Sequence, residues 1–196
     1  MNDFKTLALN TIRAEHRSLG AVINNMKALL VEIREERMKM DFPLFWSMVY
    51  YIDAFPNRLH HPKEDDWLFS RLQQRTTAAN ALIEELQRQH HEEPVALGNI
   101  RRDLGNFEAG LPGGLETLIQ TVGAYAETTW EHLRTEEHDM LPLAEAHLTP
   151  ADWGDIATAF ASNADPLTGL NDTETLSLLF HDIVKKTPAP LGLGQQ

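Results

Sequence analysis

Residues 9–33 of this 196-residue chain read LNTIRAEHRSLGAVINNMKALLVEI. Apolar side chains recur in this stretch every three or four residues, which is the period of one face of an α-helix. One position of that face, His16, is not apolar. We therefore expect a long first helix, from about residue 3 to residue 39, whose buried face carries a histidine.

The same helical period continues in three further long segments, which begin near residue 42, near residue 77 and near residue 115. Prolines are expected to bend the second segment at Pro56 and Pro62, and to kink or break the third at Pro94. The connections are short, so consecutive helices should be antiparallel. The predicted fold class is all-α, an up-down-up-down four-helix bundle with short C-terminal helices.

The C-terminal part of the chain predicts two short helices. Thr149 and Pro150 are suited to cap and begin a helix that runs to about residue 161. A last helix is expected from Asp172 to about Lys186, followed by a disordered tail over residues 188–196. The predicted organisation is a bundle domain over residues 1–163 and a C-terminal helix with its tail over residues 164–196.

Charge and composition exclude several classes of protein. The chain has 17 Lys and Arg against 29 Asp and Glu, a net charge of −12, which is the wrong sign for binding nucleic acid or an anionic membrane surface. It contains no cysteine, so any metal must be held by nitrogen and oxygen. Residues 1–11 lack the apolar segment of a secretion signal, and no apolar stretch approaches the roughly 18 residues of a membrane helix. These features predict a cytoplasmic protein without nucleic-acid or membrane partners.

Polar residues interrupt the apolar face of the first, third and fourth predicted helices, and the second helix contributes a histidine and a glutamate at residues 60 and 64. Burying an ionisable side chain without a partner costs several kcal/mol, so these positions need a compensating charge, and a metal ion supplies it. In two helices a glutamate follows a histidine by four residues, which places both on one face. The predicted ligands are His16, His60, Glu64, His90, His132 and Glu136.

The size of this ligand set indicates two ions. A mononuclear zinc site is filled by about four ligands, so a single structural zinc ion would leave ligands unused. Four imidazoles and two carboxylates fit a pair of ions about 3.5–4 Å apart, and nitrogen ligands favour iron over magnesium or calcium. A ferritin-like site with Glu-x-x-His is excluded, because no histidine here has a glutamate three residues before it.

Together with these ligands, the string His60-His61-Pro62-Lys63-Glu64-Asp65 and the pair Glu136-Glu137 make the sequence resemble the hemerythrin-like HHE cation-binding domain. The resemblance extends over about residues 5–147. It implies a four-helix bundle around a non-haem di-iron centre with two carboxylate-bridged iron ions as cofactor. In that centre His16, His60, His90 and His132 would be terminal ligands, and Glu64 and Glu136 would bridge.

One open assignment concerns the bridging carboxylate on the fourth helix. The related proteins use a carboxylate five residues after the histidine, which here would be Glu137, whereas the apolar period places Glu136 inside. We favour Glu136. The remaining histidines are expected outside the site, namely His91, His138, His147 and His181.

A second open assignment concerns a fifth nitrogen ligand. The oxygen-carrying hemerythrins have a second histidine on the third helix, four residues from the first, and this chain has Leu86 or Pro94 there. We expect a water molecule, His61 or Glu93 to take its place, and we include His61 among the predicted metal ligands.

The function predicted from these residues is a di-iron protein that binds or reacts with oxygen, nitric oxide or peroxide, for sensing, storage or stress defence. One alternative is a di-iron enzyme that reduces peroxide or nitric oxide with an electron-transfer partner. Another is an iron-donating repair protein. The related repair proteins carry an N-terminal cysteine-bearing segment, and this sequence has no cysteine.

Overall fold

The computed structural model describes residues 3–161 and 181–187. The helices of this part are α1 (Asp3–Arg34), α2 (residues 42–75), α3 (Asn80–Glu108), α4 (residues 114–147) and α5 (Pro150–Ala161). Residues 181–186 are also helical, and the rest of the predicted last helix and its tail lie outside the described residues. The described residues contain no strand.

Contacts between neighbouring helices establish their direction. The indole Nε1 of Trp46 on α2 donates to Glu108 of α3 at 2.8 Å, whereas Nδ1 of His90, much earlier on α3, donates to Asp65, much later on α2, at 3.0 Å. Residue numbers therefore rise along α2 as they fall along α3, so the two helices are antiparallel. The up-down-up-down four-helix bundle predicted from the sequence is confirmed, and α5 packs against α1.

The core consists of two apolar clusters with a polar layer between them. On α1, Ile12 belongs to one cluster and Leu19 to the other, and His16 lies between the two. The other three bundle helices pass from one cluster to the other in the same way, each at its predicted ligands. The predicted site therefore occupies one level of the bundle, with apolar packing on both sides.

The first helix ends at Arg34, so its predicted end near residue 39 is wrong. Glu36 has a φ of 57°, in the left-handed region, and the amide of Arg37 donates to the carbonyl of Glu32 at 2.9 Å. A left-handed residue stops the helical ladder, because the next amides turn back to carbonyls of the last turn.

The third helix runs from Asn80 to Glu108 without interruption, so the break considered at Pro94 is wrong. Proline removes one amide donor and crowds the preceding turn. Pro94 is exposed, so its ring faces solvent. A clash with a packed neighbour therefore does not add to the free-energy cost of proline in the helix. The fourth helix has the predicted extent, from about residue 115 to residue 147.

Two bundle helices contain π-helical turns. In α2 these are Asp53–His60 and Glu64–Phe69, and in α4 the π-helical turn is Glu136–Met140. Within the first, the amide of His61 donates to the carbonyl of Pro56, five residues earlier. A π-turn inserts an extra residue and changes the direction of the side chains that follow. All three π segments lie at or beside predicted ligands.

Among the helices that the structure describes, none has an apolar stretch long enough to cross a membrane.

Candidate metal centre

The structure places all the predicted metal ligands in the polar layer between the two apolar clusters. Each of them is at most 7% exposed. They come from all four bundle helices: His16; His60, His61 and Glu64; His90; His132 and Glu136. Residues 116 positions apart in sequence, from His16 to His132, thus meet in one layer.

The donor atoms form two groups that share a carboxylate. The first group contains His61, His90 and His132 with Glu64, and its donor atoms lie within 4.8 Å of one another. The second contains His16 and His60 with Glu64 and Glu136, within the same limit. We call these the three-histidine group and the two-histidine group.

Glu64 directs one carboxylate oxygen toward each group. Its Oε1 lies 3.3 Å from Nε2 of His60 and 3.7 Å from Nε2 of His16. Its Oε2 lies 3.6 Å from Nε2 of His90. This is the orientation that a carboxylate needs to bridge two ions.

Glu136 has the same orientation. Its Oε1 lies 3.3 Å from Nε2 of His132 and 3.6 Å from Nε2 of His90, both in the three-histidine group. Its Oε2 lies 3.3 Å from Nε2 of His16 in the two-histidine group. The two carboxylates therefore both lie between the histidine groups.

Glu137, the alternative bridge, lies outside this arrangement. Its Oε1 accepts a hydrogen bond from Nδ1 of His16 at 2.9 Å, and its Oε2 accepts one from Arg13 at 3.1 Å. Its side chain is 28% exposed, against 1% for Glu136. The geometry therefore favours Glu136 over Glu137 for a bridging role.

His61 lies inside the site, although an α-helix turns neighbouring side chains about 100° apart. It is 3% exposed, its ring stacks on that of His90 with centroids 4.1 Å apart, and its centroid is 5.5 Å from that of His132. The π-turns on both sides of residues 61–63 allow His60 and His61 to be buried together.

Glu93, the other candidate for the fifth nitrogen or oxygen ligand, lies beside His61 and outside the two groups of donor atoms. Its Oε1 accepts a hydrogen bond from the hydroxyl of Tyr125, and its Oε2 lies 3.3 Å from Nδ1 of His61. It therefore supports His61 from outside the two groups.

The other site histidines also have an oxygen beside Nδ1, on the side away from the centre. The pairs are His16 with Glu137 at 2.9 Å, His60 with Glu15 at 2.7 Å, His90 with Asp65 at 3.0 Å and His132 with Gln89 at 2.8 Å. Histidines that bind metals are held in this manner, with one ring nitrogen bonded to a second residue and the other directed to the ion.

Sequence reasoning missed Glu15 and Gln89. Each is the neighbour in sequence of a predicted ligand, yet each bonds a histidine of a different helix. A polar side chain beside a core histidine was the available signal. The partner across the bundle could not be read from it, because that depends on which helices lie side by side.

Four histidines do not take part in the site. His91, His138, His147 and His181 are exposed, as expected from the sequence.

Electrostatics keep the two central carboxylates ionised. Burial by itself would raise the pKa of Glu64, but the nearby His60 and hydrogen bonds from His16 and His60 hold that pKa well below its ordinary value. Burial and the charge of Glu64 would also raise the pKa of Glu136, yet contacts with His132, His16 and His90 lower it to about 2. Two carboxylates buried together favour a cation between them.

The histidines divide by charge state. Burial, followed by the charge of His90, holds the pKa of His61 well below its ordinary value, and burial lowers that of His132. For His60 the charge of Glu64 and hydrogen bonds to Glu15 and Glu64 outweigh burial and raise the pKa to about 9. Without metal, protons on histidines with a raised pKa balance the negative charge of the carboxylates. Metal binding would therefore release protons.

Several buried polar atoms of the site have no hydrogen-bond partner. They are Oε2 of Glu64, both carboxylate oxygens of Glu136, Nδ1 of His61, and Nε2 of His90 and of His132. Each unsatisfied buried polar atom costs about 1–3 kcal/mol. Imidazole nitrogens and carboxylate oxygens together suit a transition-metal cation, so the residues present fit a bound metal.

Comparison with known proteins agrees with this geometry. The family model of the hemerythrin HHE cation binding domain matches residues 7–144, and the chain therefore belongs to this family. Hemerythrin-like domains bind metal cations, commonly iron. Searches of curated proteins and of solved structures found no match.

Proposed function

We propose that the buried layer holds two iron ions bridged by Glu64 and Glu136, and that the protein binds or reacts with oxygen, nitric oxide or peroxide in sensing, storage or stress defence. One observation carries the proposal. Each of the two buried carboxylates directs one oxygen to the three-histidine group and the other to the two-histidine group. A single ion would leave one histidine group without a partner.

The two groups offer unequal numbers of donors. Counting one oxygen from each carboxylate, the three-histidine group supplies five donor atoms and the two-histidine group supplies four. Iron with nitrogen and oxygen ligands commonly takes six. The two-histidine group therefore leaves more room for an added ligand, and iron bound there would supply a redox-active centre with an open position.

His61, on the second helix, supports this proposal because it is the fifth histidine of the site. It can take the place of the second histidine that the third helix lacks, since that helix has Leu86 and Pro94 at the two possible positions. Oε2 of Glu93, whose Oε1 accepts a hydrogen bond from Tyr125, lies 3.3 Å from Nδ1 of His61.

Apolar side chains limit water around the site. The ring of Phe160 on α5 meets His60 edge to face, with centroids 5.8 Å apart. The ring of Phe69 stacks on His90 with centroids 5.7 Å apart. Excluding water strengthens every charge interaction inside the layer and slows loss of a reactive ligand to solvent.

Anaerobic titration of the metal-free protein with Fe(II) tests the proposal. We expect a titration end point at two iron ions per chain and, after oxidation, the magnetic coupling and visible absorption of a bridged iron pair. Nitric oxide added to the reduced protein should then change the spectrum. An end point at one ion, two uncoupled ions, or a loaded centre that takes up no added ligand would contradict it.

A further inference from the structure

A cavity of about 220 Å³ lies between α3 and α4 and connects solvent with the candidate metal centre. At its outer end are Arg88, Glu92 and Glu131, whose side chains are 53%, 63% and 60% exposed. At its inner end are Tyr125 and His132, which are 3% and 5% exposed. The candidate ligands are at most 7% exposed and lie between the two apolar clusters, so any metal needs a way in.

The wall of this cavity is acidic. It includes the three glutamates Glu92, Glu93 and Glu131 and one cation, Arg88, and the carboxylate of Glu131 is paired with Arg134 outside the cavity. The guanidinium of Arg88 is already paired with Glu92 and with Glu85. A cleft lined mainly by one sign of charge concentrates ions of the opposite sign and speeds their entry.

The candidate ligand at the inner end of the cavity, His132, has a different hydrogen-bond partner from the other site histidines. Nδ1 of His132 donates to the neutral amide oxygen of Gln89 at 2.8 Å, whereas His16, His60 and His90 each face a carboxylate. Gln89 itself lines the cavity, and Nε2 of His132 is buried without a partner. The cavity thus ends on a candidate ligand whose ring is fixed by a neutral hydrogen bond.

A second cavity, of about 650 Å³ between α1 and α4, reaches His16 from another side. Its wall carries Arg17, Arg134 and Glu137; Arg134 is paired with Glu131, and Glu137 bonds both His16 and Arg13. Arginines repel an approaching cation, so this cavity suits a metal ion less well.

We propose that the cavity between α3 and α4 is the route by which divalent metal cations enter and leave the buried centre, with Gln89 and His132 at its inner end. This inference rests on the proposed function, because it takes the buried layer as the metal site. It adds how that site is loaded.

The charge of the route is tested by the rate at which metal-free protein takes up Fe(II) under anaerobic conditions, with Co(II) as a second, coloured probe. The double variant Glu92→Gln/Glu131→Gln should take up metal about tenfold more slowly at low ionic strength. The difference should shrink at high salt, because exposed charges are screened. The matched control, Glu84→Gln/Glu116→Gln, removes the same charge from exposed sites of the same two helices outside the cavity and should keep the wild-type rate.

Whether metal passes through the cavity between α3 and α4 is tested by filling that cavity with a larger side chain. Ala96→Phe places a ring in the cavity and should slow both uptake and extraction by a chelator, while the number of ions bound at equilibrium stays the same. Ala21→Phe fills the second cavity and should change neither rate. If Ala96→Phe does not fold, Thr128→Phe on the opposite wall replaces it.

These results separate the two proposals. A wild-type protein that fails to bind two ions contradicts the proposed function. A wild-type protein that binds two ions, with uptake slowed equally in the cavity variants and their controls or slowed only by Ala21→Phe, contradicts the route alone.

Discussion

Single residues of the site are fixed from two sides. The Nε2 atoms of His16, His60, His90 and His132 face the two carboxylates, and their Nδ1 atoms are bonded to an outer residue. Once the inner nitrogen has lost its proton to an incoming metal, the outer bond holds the tautomer that leaves a lone pair on that nitrogen. The orientation of these rings is therefore set before a metal binds.

Removal of one histidine from either group should lower both metal content and stability. We expect His60→Ala and His132→Ala each to bind fewer than two ions and to lose about 3 kcal/mol of unfolding free energy in the loaded protein, because the buried carboxylates lose a partner. Elemental analysis and thermal unfolding measure this. His147→Ala, at an exposed histidine of α4, is the control and should match wild type. Two ions per chain in both site variants would contradict the ligand assignment.

The residues bonded to Nδ1 of the site histidines should affect metal affinity without binding the metal themselves. Glu137→Gln weakens the bond to Nδ1 of His16, so we expect metal affinity to fall by about ten- to a hundredfold while two ions still bind at saturation. Competition with a chelator measures the affinity. Glu145→Gln is the matched control, since Glu145 also contacts Arg13 but no site histidine. An unchanged affinity in Glu137→Gln would show that this bond does not support the site.

At the level of elements, π-turns make α2 the main contributor to the site. It supplies His60, His61 and Glu64, all at most 3% exposed. A regular α-helix would bury His60 with Glu64 and turn His61 toward its flank. The extra residue in each π-turn explains why helical periodicity alone left His61 undecided.

The start of α4 depends on close packing against α3. A Cβ atom added at Gly114 would lie 2.8 Å from Cα of Phe107, a backbone atom that cannot move alone. We expect Gly114→Ala to cost about 1–3 kcal/mol of unfolding free energy through overpacking. Gly123→Ala, further along the same helix with open space at Cβ, should instead add up to about 1 kcal/mol, because alanine favours the helix. Urea unfolding measures both, and equal stability of the two variants would contradict this reading of the α3 to α4 connection.

For the molecule as a whole, the polar layer interrupts the core. The two apolar clusters are each well buried, but the ionisable side chains between them leave polar atoms without partners. A metal pair that joins all four helices at this level would hold the two halves together.

Metal should therefore control the stability of the entire bundle. A ligand that binds only the folded state at a thousand times its dissociation constant adds about 4 kcal/mol. We expect the metal-free protein to unfold at a clearly lower temperature than the loaded one, with helical content retained below the transition. Calorimetry and circular dichroism with and without a chelator measure this. Equal melting temperatures would mean that the layer is stabilised without metal.

The sequence by itself determined the helical bundle, and it singled out six residues that the structure brings together in the polar layer. Helical periodicity is a local property, and a histidine or glutamate on an apolar face is visible wherever it occurs. Helix ends and the effects of proline could not be predicted as well: the first helix ends at Arg34, before the left-handed residue Glu36, and Pro94 leaves the third helix intact.

Only the tertiary structure decided the rest of the site. It placed His61 with the three-histidine group, kept Glu137 and Glu93 outside, and revealed Glu15 and Gln89 as partners of histidines on other helices. Each of these depends on the rotation of one helix relative to another. That rotation is set by π-turns and by packing across the bundle, which no local pattern in the chain encodes.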